Sequence, residues 1–163
     1  MRTVKLLSVI FLCLSLVSCS ASSGTPDLPL SRFVCKFSWT SGGESFTASL
    51  SSCPAVDGRR DYVMRILSPS SLSGLSVISE NGIALLYMGD SPIGSAPKGY
   101  TDIASLLLPL SPLSYLCKAK IGGAKAICYI SGGTRWYYSS DRSTPLLVES
   151  GGLSLDIIRM ERP

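Results

Sequence analysis

The chain has 163 residues, six cysteines, no histidine and a formal net charge of +4. This length suits one domain with a single hydrophobic core. The lack of histidine removes the commonest general base and the commonest zinc ligand. The small excess of basic residues argues against a nucleic-acid partner and against a polybasic membrane contact.

The first eighteen residues have the pattern of an export signal. Arg2 and Lys5 precede an apolar run at residues 6–14, which has signal-peptide length and is too short to span a bilayer. The run leads into Leu-Val-Ser-Cys at 16–19, which resembles the bacterial lipobox. This resemblance implies cleavage before Cys19 and acylation of that residue, and two or three acyl chains anchor a protein stably. The alternative is an ordinary secretory leader that contains a cysteine.

These features predict three segments. Residues 1–18 form a lipoprotein signal peptide, residues 19–31 a lipidated, proline-broken tether, and residues 32–163 one β-rich domain. The predicted location is extracytoplasmic. The lipid would anchor the protein to the cell membrane, or to the outer membrane if the envelope has two membranes.

Residues 32–53 predict a β-hairpin around Gly42 and Gly43. Its register pairs Trp39 with Phe46, Phe37 with Ala48 and Cys35 with Leu50. One face is apolar and the other carries serine, threonine and lysine, which is typical of an antiparallel ribbon with one solvated face.

Residues 61–67 predict a strand, and residues 75–88 a second hairpin around Asn81 and Gly82. Both faces of this hairpin are apolar, so both faces need cover. We predict that one of its faces meets the core and the other lines an apolar groove beside a helix. The candidate groove residues are Val77, Ile78, Leu85, Leu86, Tyr87, Met88, Leu106 and Leu107.

The helix is predicted at residues 101–108, with Thr101 as N-cap and Pro109 ending it. Residues 89–99 are predicted as loop. A meander of strands follows from residue 113, with turns at the glycine pairs of 122–123, 132–133 and 151–152. The chain is therefore mainly β, with about nine strands and one or two short helices.

Four cysteines remain after the leader and Cys19 are set aside, and an even number in an exported chain favours disulfides. The turn at 122–123 places Cys117 opposite Cys128, which predicts a bridge between them. Cys35–Cys53 follows by elimination, although their hairpin register points the two side chains apart. The rival interpretation, a four-cysteine zinc site, lacks the usual Cys-x-x-Cys spacing.

No catalytic motif is present in the sequence. There is no Gly-x-Ser-x-Gly and no histidine to activate a serine, and Asp57, Asp61, Asp90 and Asp141 lie in predicted loops or at strand ends. No cofactor or metal site is predicted. Lysines 118, 120 and 125 share one hairpin face, which fits either a solvated surface or a contact with an anionic group.

The order of elements resembles the LolA/LolB-like lipoprotein-carrier fold, including the GerS-type spore lipoproteins. The resemblance rests on residues 62–69 and 72–75, on the turn at 81–82, and on residues 144–149 with 153–158. It covers roughly residues 33–160. The family implies an incomplete antiparallel barrel or curved sheet with helices packed in an apolar concavity.

In LolA and LolB that concavity takes acyl chains, whereas GerS-type proteins serve a protein partner, a cell-wall amidase. The tether of this chain carries proline where the carriers have a long N-terminal helix, so both roles stay open. We therefore expect a non-enzymatic, membrane-anchored binding module for an envelope protein or for acyl chains. The alternative is a cell-envelope hydrolase that works without histidine.

Overall fold

The computed structural model describes residues 26, 32–54, 56, 58–109 and 111–161. The predicted signal peptide, with Cys19, and all of the tether except Pro26 lie outside them. The described elements are β1 Phe33–Ser41, β2 Glu44–Ser52, β3 Tyr62–Ser68, β4 Leu75–Glu80, β5 Ile83–Met88, β6 Ser91–Ser95, α1 Lys98–Leu107, β7 Ser114–Ile121, β8 Ala124–Ser131, β9 Thr134–Ser139, β10 Pro145–Ser150 and β11 Leu153–Glu161. A short 3₁₀ turn lies at Ser70–Leu72 between β3 and β4.

All eleven strands form one curved, open antiparallel sheet. Its order is β6-β5-β4-β3-β2-β1-β11-β10-β9-β8-β7, so the first and last strands meet in the middle and β6 and β7 are the edges. The predicted fold class, mainly β with a helix on an open antiparallel sheet, is confirmed.

The strand count is higher than the nine or so predicted, and one strand lies in a segment predicted as loop. Residues 91–95 pair with β5 although they contain Pro92 and Gly94. Proline is tolerated at a sheet edge, where its missing N–H faces away from the ladder. A local pattern that is typical of loops therefore hid an edge strand.

The predicted hairpin registers are confirmed. Trp39 lies opposite Phe46 and Cys35 opposite Leu50, while Val77 lies opposite Leu86. The glycine and Asn-Gly turns adopt positive φ, with Asn81 at φ 52°. These turns fix hairpin register because their twist matches that of the flanking strands.

One face of the sheet carries the core and α1, and we call it the concave face; the other is the convex face. The concave side chains alternate along every central strand, as the period of two requires. Trp39 stacks on Phe37 and Phe46, with ring centroids 5.7 and 5.1 Å away. The fully buried members include Phe33, Phe37, Leu50, Met64, Val77, Leu107, Tyr129, Trp136, Val148 and Leu155.

The helix begins one turn earlier than predicted. Its N-cap position is Pro97, and Thr101, predicted as the cap, instead donates its hydroxyl to the Lys98 carbonyl at 2.8 Å. Lys98 and Asp102 form an exposed ion pair one turn apart, at 2.6 Å. Ile103, Ala104 and Leu107 face the sheet. Within the described part of the chain, no helix has the length and apolarity needed to cross a membrane.

Candidate functional site

The hairpin β4–β5 divides the predicted groove residues between the two faces of the sheet. Val77 is 1% exposed in the core, and Leu86 packs against the same core. Leu107 is fully buried there, and Leu106 is half-buried beside it. Met88, at the strand end, is 47% exposed. The concave members of the groove, apart from exposed Met88, therefore belong to or pack against the core.

The other groove residues lie on the convex face. Ile78 is directly opposite Val63 on one side and Leu85 on the other, which makes an apolar row across β3, β4 and β5. Tyr87 lies on the same face as Leu85, and all these side chains are half-buried. Cavities of about 290 and 440 Å³ flank Ile78. Ligand binding by either set of groove residues stays a prediction.

A polar group lies at one end of the concave face, beside the segment that joins β2 to β3. Ser52 is opposite Tyr62, which is opposite Ser79, and all three are buried. Arg60 precedes Tyr62 by two residues and is only 7% exposed. The period-two alternation of Arg60, Tyr62 and Met64 was the signal that could have placed this arginine on the concave face.

The backbone around Arg60 is held on both sides. Cys53 N–H donates to the Asp61 carbonyl at 2.9 Å, and Val56 and Arg59 exchange two backbone hydrogen bonds of 2.9 Å each. The Asp61 carboxylate accepts from the Asn81 N–H, also at 2.9 Å. A cavity of about 470 Å³ at this end is lined by Cys53, Pro54, Val56, Arg59, Asp61 and Asn81.

The structure holds the four mature cysteines as free thiols, so neither predicted disulfide is formed in it. The predicted Cys35–Cys53 bridge joins residues that the structure places in different surroundings. Cys35 is buried in the concave core, whereas Cys53 is exposed and lines a cavity with residues of the convex face such as Ser51 and Val63. Burial raises the pKa of the Cys35 thiol to about 12.

Cys117 and Cys128 do lie directly opposite each other on adjacent strands, as predicted. Burial raises the pKa of Cys128, and the neighbouring Cys117, which shares a hydrogen bond with it, raises the pKa further. The pair lies on the convex face beside Tyr137, which donates to Glu149 at 3.0 Å.

Two of the loop carboxylates named from the sequence, Asp61 and Asp141, have structural contacts, and Asp57 lies outside the described residues. Asp141 accepts hydrogen bonds from Ser139 and from Ser143, whose backbone N–H lies 3.0 Å away, and these bonds lower the pKa of Asp141 to about 2. Asp61 is held by Asn81, as described above. No group of three His, Cys, Asp or Glu side chains within the described residues is placed to hold a metal ion.

Comparisons with known proteins identify a shared fold. No family model and no curated protein match the chain. An uncharacterized conserved protein from Thermus thermophilus is 14% identical with a TM-score of 0.52, over 85% of this chain and 83% of that chain. MucB is 13% identical with a TM-score of 0.47, over 83% of this chain and 54% of its own. A LolA superfamily protein from Nitrosomonas europaea is 11% identical with a TM-score of 0.41, over 85% and 90%.

The likeness to the Thermus thermophilus protein shows that the curved open sheet of this chain is a fold found in other solved structures. This chain spans about half the length of MucB, at 54% of that chain. A shared fold does not determine function, which depends on the side chains that the faces of the sheet carry.

Proposed function

We propose that this protein is a non-enzymatic binding module of the bacterial cell envelope, anchored through an acylated Cys19, whose concave face takes acyl chains under α1. The carrying observation is a mismatch in size. Ten helical residues reach about 15 Å, while eleven strands at the usual spacing span about 48 Å. α1 is shorter than the sheet is wide and covers part of the concave face. The central side chains of that face are already buried, and the half-buried ones beside them, such as Ala84 and Leu86, are where a ligand can extend the cover.

Acyl-chain binding is tested with dodecanol as an uncharged probe that displaces an environment-sensitive apolar dye from the purified protein. We expect displacement by wild type and at least about tenfold weaker binding, roughly 1.4 kcal/mol, by Ala84→Phe. Ala84 is half-buried and packs against the core near this cover, so a ring there fills ligand space. Leu85→Phe, on the opposite face of the same strand, is the matched control. Absence of dodecanol binding by wild type would contradict the proposal.

The anchor is tested separately. Mass spectrometry of membrane-extracted protein should find a diacylated or triacylated Cys19 as the first residue. Cys19→Ser should release the protein from membranes, whereas Cys13→Ser, within the leader, should leave it anchored. An unmodified N-terminus at Ala21 or beyond would refute lipidation.

A protein partner is the second candidate, and the convex row Val63–Ile78–Leu85 favours it because this apolar row is only half-buried. Loss of a partner on Ile78→Ser without loss of dodecanol binding would assign it to this face. The hydrolase alternative requires turnover of ester, amide or glycoside substrates that one Ser, Asp or Glu substitution abolishes. We expect no turnover.

A further inference from the structure

Arg60 is a buried cation with no counterion among the residues that the structure describes. Its side chain is 93% removed from solvent, since only 7% is exposed, and none of its three guanidinium nitrogens has a hydrogen-bond partner in that part of the chain. Burying an unpaired charge costs several kcal/mol, so buried arginines are normally paired. Burial lowers the pKa of Arg60.

A second buried donor lies near Arg60. The Ser52 hydroxyl is 1% exposed and also has no partner among the described residues. Ser52 is opposite Tyr62, and Cys53 bonds to Asp61, so continuing the ladder makes Ser52 and Arg60 diagonal neighbours on the concave face. Diagonal neighbours stand about 7–8 Å apart. The long Arg60 side chain and the Ser52 hydroxyl can therefore contact the same group of a ligand.

The end of the sheet that holds Arg60 carries charged side chains of both signs, including Lys120, Lys125 and Arg142 as well as Asp141 and Glu161. In this antiparallel order, alternate turns lie at the same end, which brings the 140–144 loop and the 122–123 turn to the Arg60 end. Lys120 and Lys125 face each other there, on the same face as Ile127, which packs against the core. Burial raises the pKa of concave Tyr129, and the charge of nearby Arg142 opposes that shift.

Beyond Arg60 the same face becomes apolar without interruption. Met64, Leu50, Phe33 and Val77 are all buried within one contiguous cluster. A ligand that satisfies both regions has an oxyanion at one end and a hydrocarbon chain at the other. The guanidinium fork matches the two oxygens of a carboxylate or phosphate, and a hydroxyl can donate a third hydrogen bond.

We propose that the concave face binds an anionic amphiphile, with its oxyanion held by Arg60 and Ser52 and its acyl chain lying along the half-buried Ala84 and Leu86, which lie on the concave face opposite Ser79 and Val77. The inference rests on the proposed acyl-chain binding and adds the chemical class of the head group. Arg60 is then a specificity-determining residue for the head group.

The test uses the complete mature chain carrying Cys19→Ser, so that its own acyl groups do not compete. Affinities are measured by the same dye displacement for dodecanoate, dodecyl phosphate and dodecanol, which share one chain length, and for inorganic phosphate by calorimetry. At least one of the two anionic amphiphiles should bind ten or more times tighter than dodecanol. Whichever of the two binds tighter identifies the head group as carboxylate or phosphate.

Arg60→Met should remove that preference and bring both anions to the affinity of dodecanol. Arg65→Met is the matched control, because Arg65 lies in β3, the strand that follows Arg60, is exposed on the convex face and should keep the preference. If Arg60→Met fails to fold, the affinities of dodecanoate and dodecyl phosphate relative to dodecanol, measured on the protein that keeps Arg60, decide whether the head group is recognised.

Equal affinities for dodecanol and both anions would overturn this inference and leave the proposed function intact. Binding of none of the acyl probes would overturn both. Phosphate binding as tight as that of dodecyl phosphate would also overturn it, because the acyl chain would then contribute nothing.

Discussion

The two faces of this sheet carry similar numbers of apolar residues in β4 and β5 but differ in what covers them. Val77 is 1% exposed in the core, while its neighbour Ile78 is half-buried on the convex face. In β1 and β2 the contrast is simpler, because the convex side chains are mostly polar and the concave ones are buried. Apolar pattern alone thus distinguishes the faces of the first hairpin and not of the second.

The largest expected effect comes from substituting neighbouring residues that lie on the two faces of β4. Val77→Asp places a carboxylate in the core and should lower the free energy of unfolding by more than about 4 kcal/mol, or prevent folding. Ile78→Asp, one residue away on the half-buried face, should cost about 1 kcal/mol. Urea denaturation followed by circular dichroism measures both values. Equal losses would mean that both faces are core.

The next effect concerns the cover of the concave face. Leu107 is fully buried. Leu107→Ala should therefore lower the free energy of unfolding by about 2–5 kcal/mol, because the cavity left behind loses packing contacts. Leu106→Ala, at a half-buried position on the same helix, should lower the free energy of unfolding by clearly less. The same denaturation experiment compares them. A larger loss for Leu106→Ala would show that the helix presents a different side to the sheet.

The smallest expected effect on stability comes from oxidation of a cysteine pair on the convex face. Cys117 and Cys128 lie opposite each other, so oxidation should join them and add about 2–3 kcal/mol of stability, as for other loops of this size. Mapping of unreduced peptides identifies the bond, and Cys117→Ser removes it. A Cys35–Cys117 peptide would contradict this pairing.

Cys35 and Cys53 give the internal control for that experiment. The thiolate is the reactive form, and burial holds the pKa of Cys35 at about 12. In the folded protein we therefore expect iodoacetamide to label exposed Cys53 at pH 7 to 9 and to leave Cys35 unmodified until urea unfolds the chain. Equal labelling rates in the folded state would place Cys35 outside the core.

The sequence by itself determined the hairpins and their registers. The Gly42–Gly43, Asn81–Gly82 and Gly122–Gly123 turns are local signals, and the strand period of two then sets which residues pair and which share a face. The same local register places Cys117 opposite Cys128 and points Cys35 and Cys53 apart. The Cys35–Cys53 bridge was predicted only because these two cysteines were left over, in spite of that register.

Only the tertiary structure decided which face is covered, that β1 lies beside β11, and that the 91–95 segment forms an edge strand. These features depend on contacts between residues far apart in sequence, which no local pattern encodes. The burial of Arg60 belongs with them. Its place on the concave face follows from a period of two, but its loss of solvent without an anion among the described residues depends on the packing of the whole curved sheet.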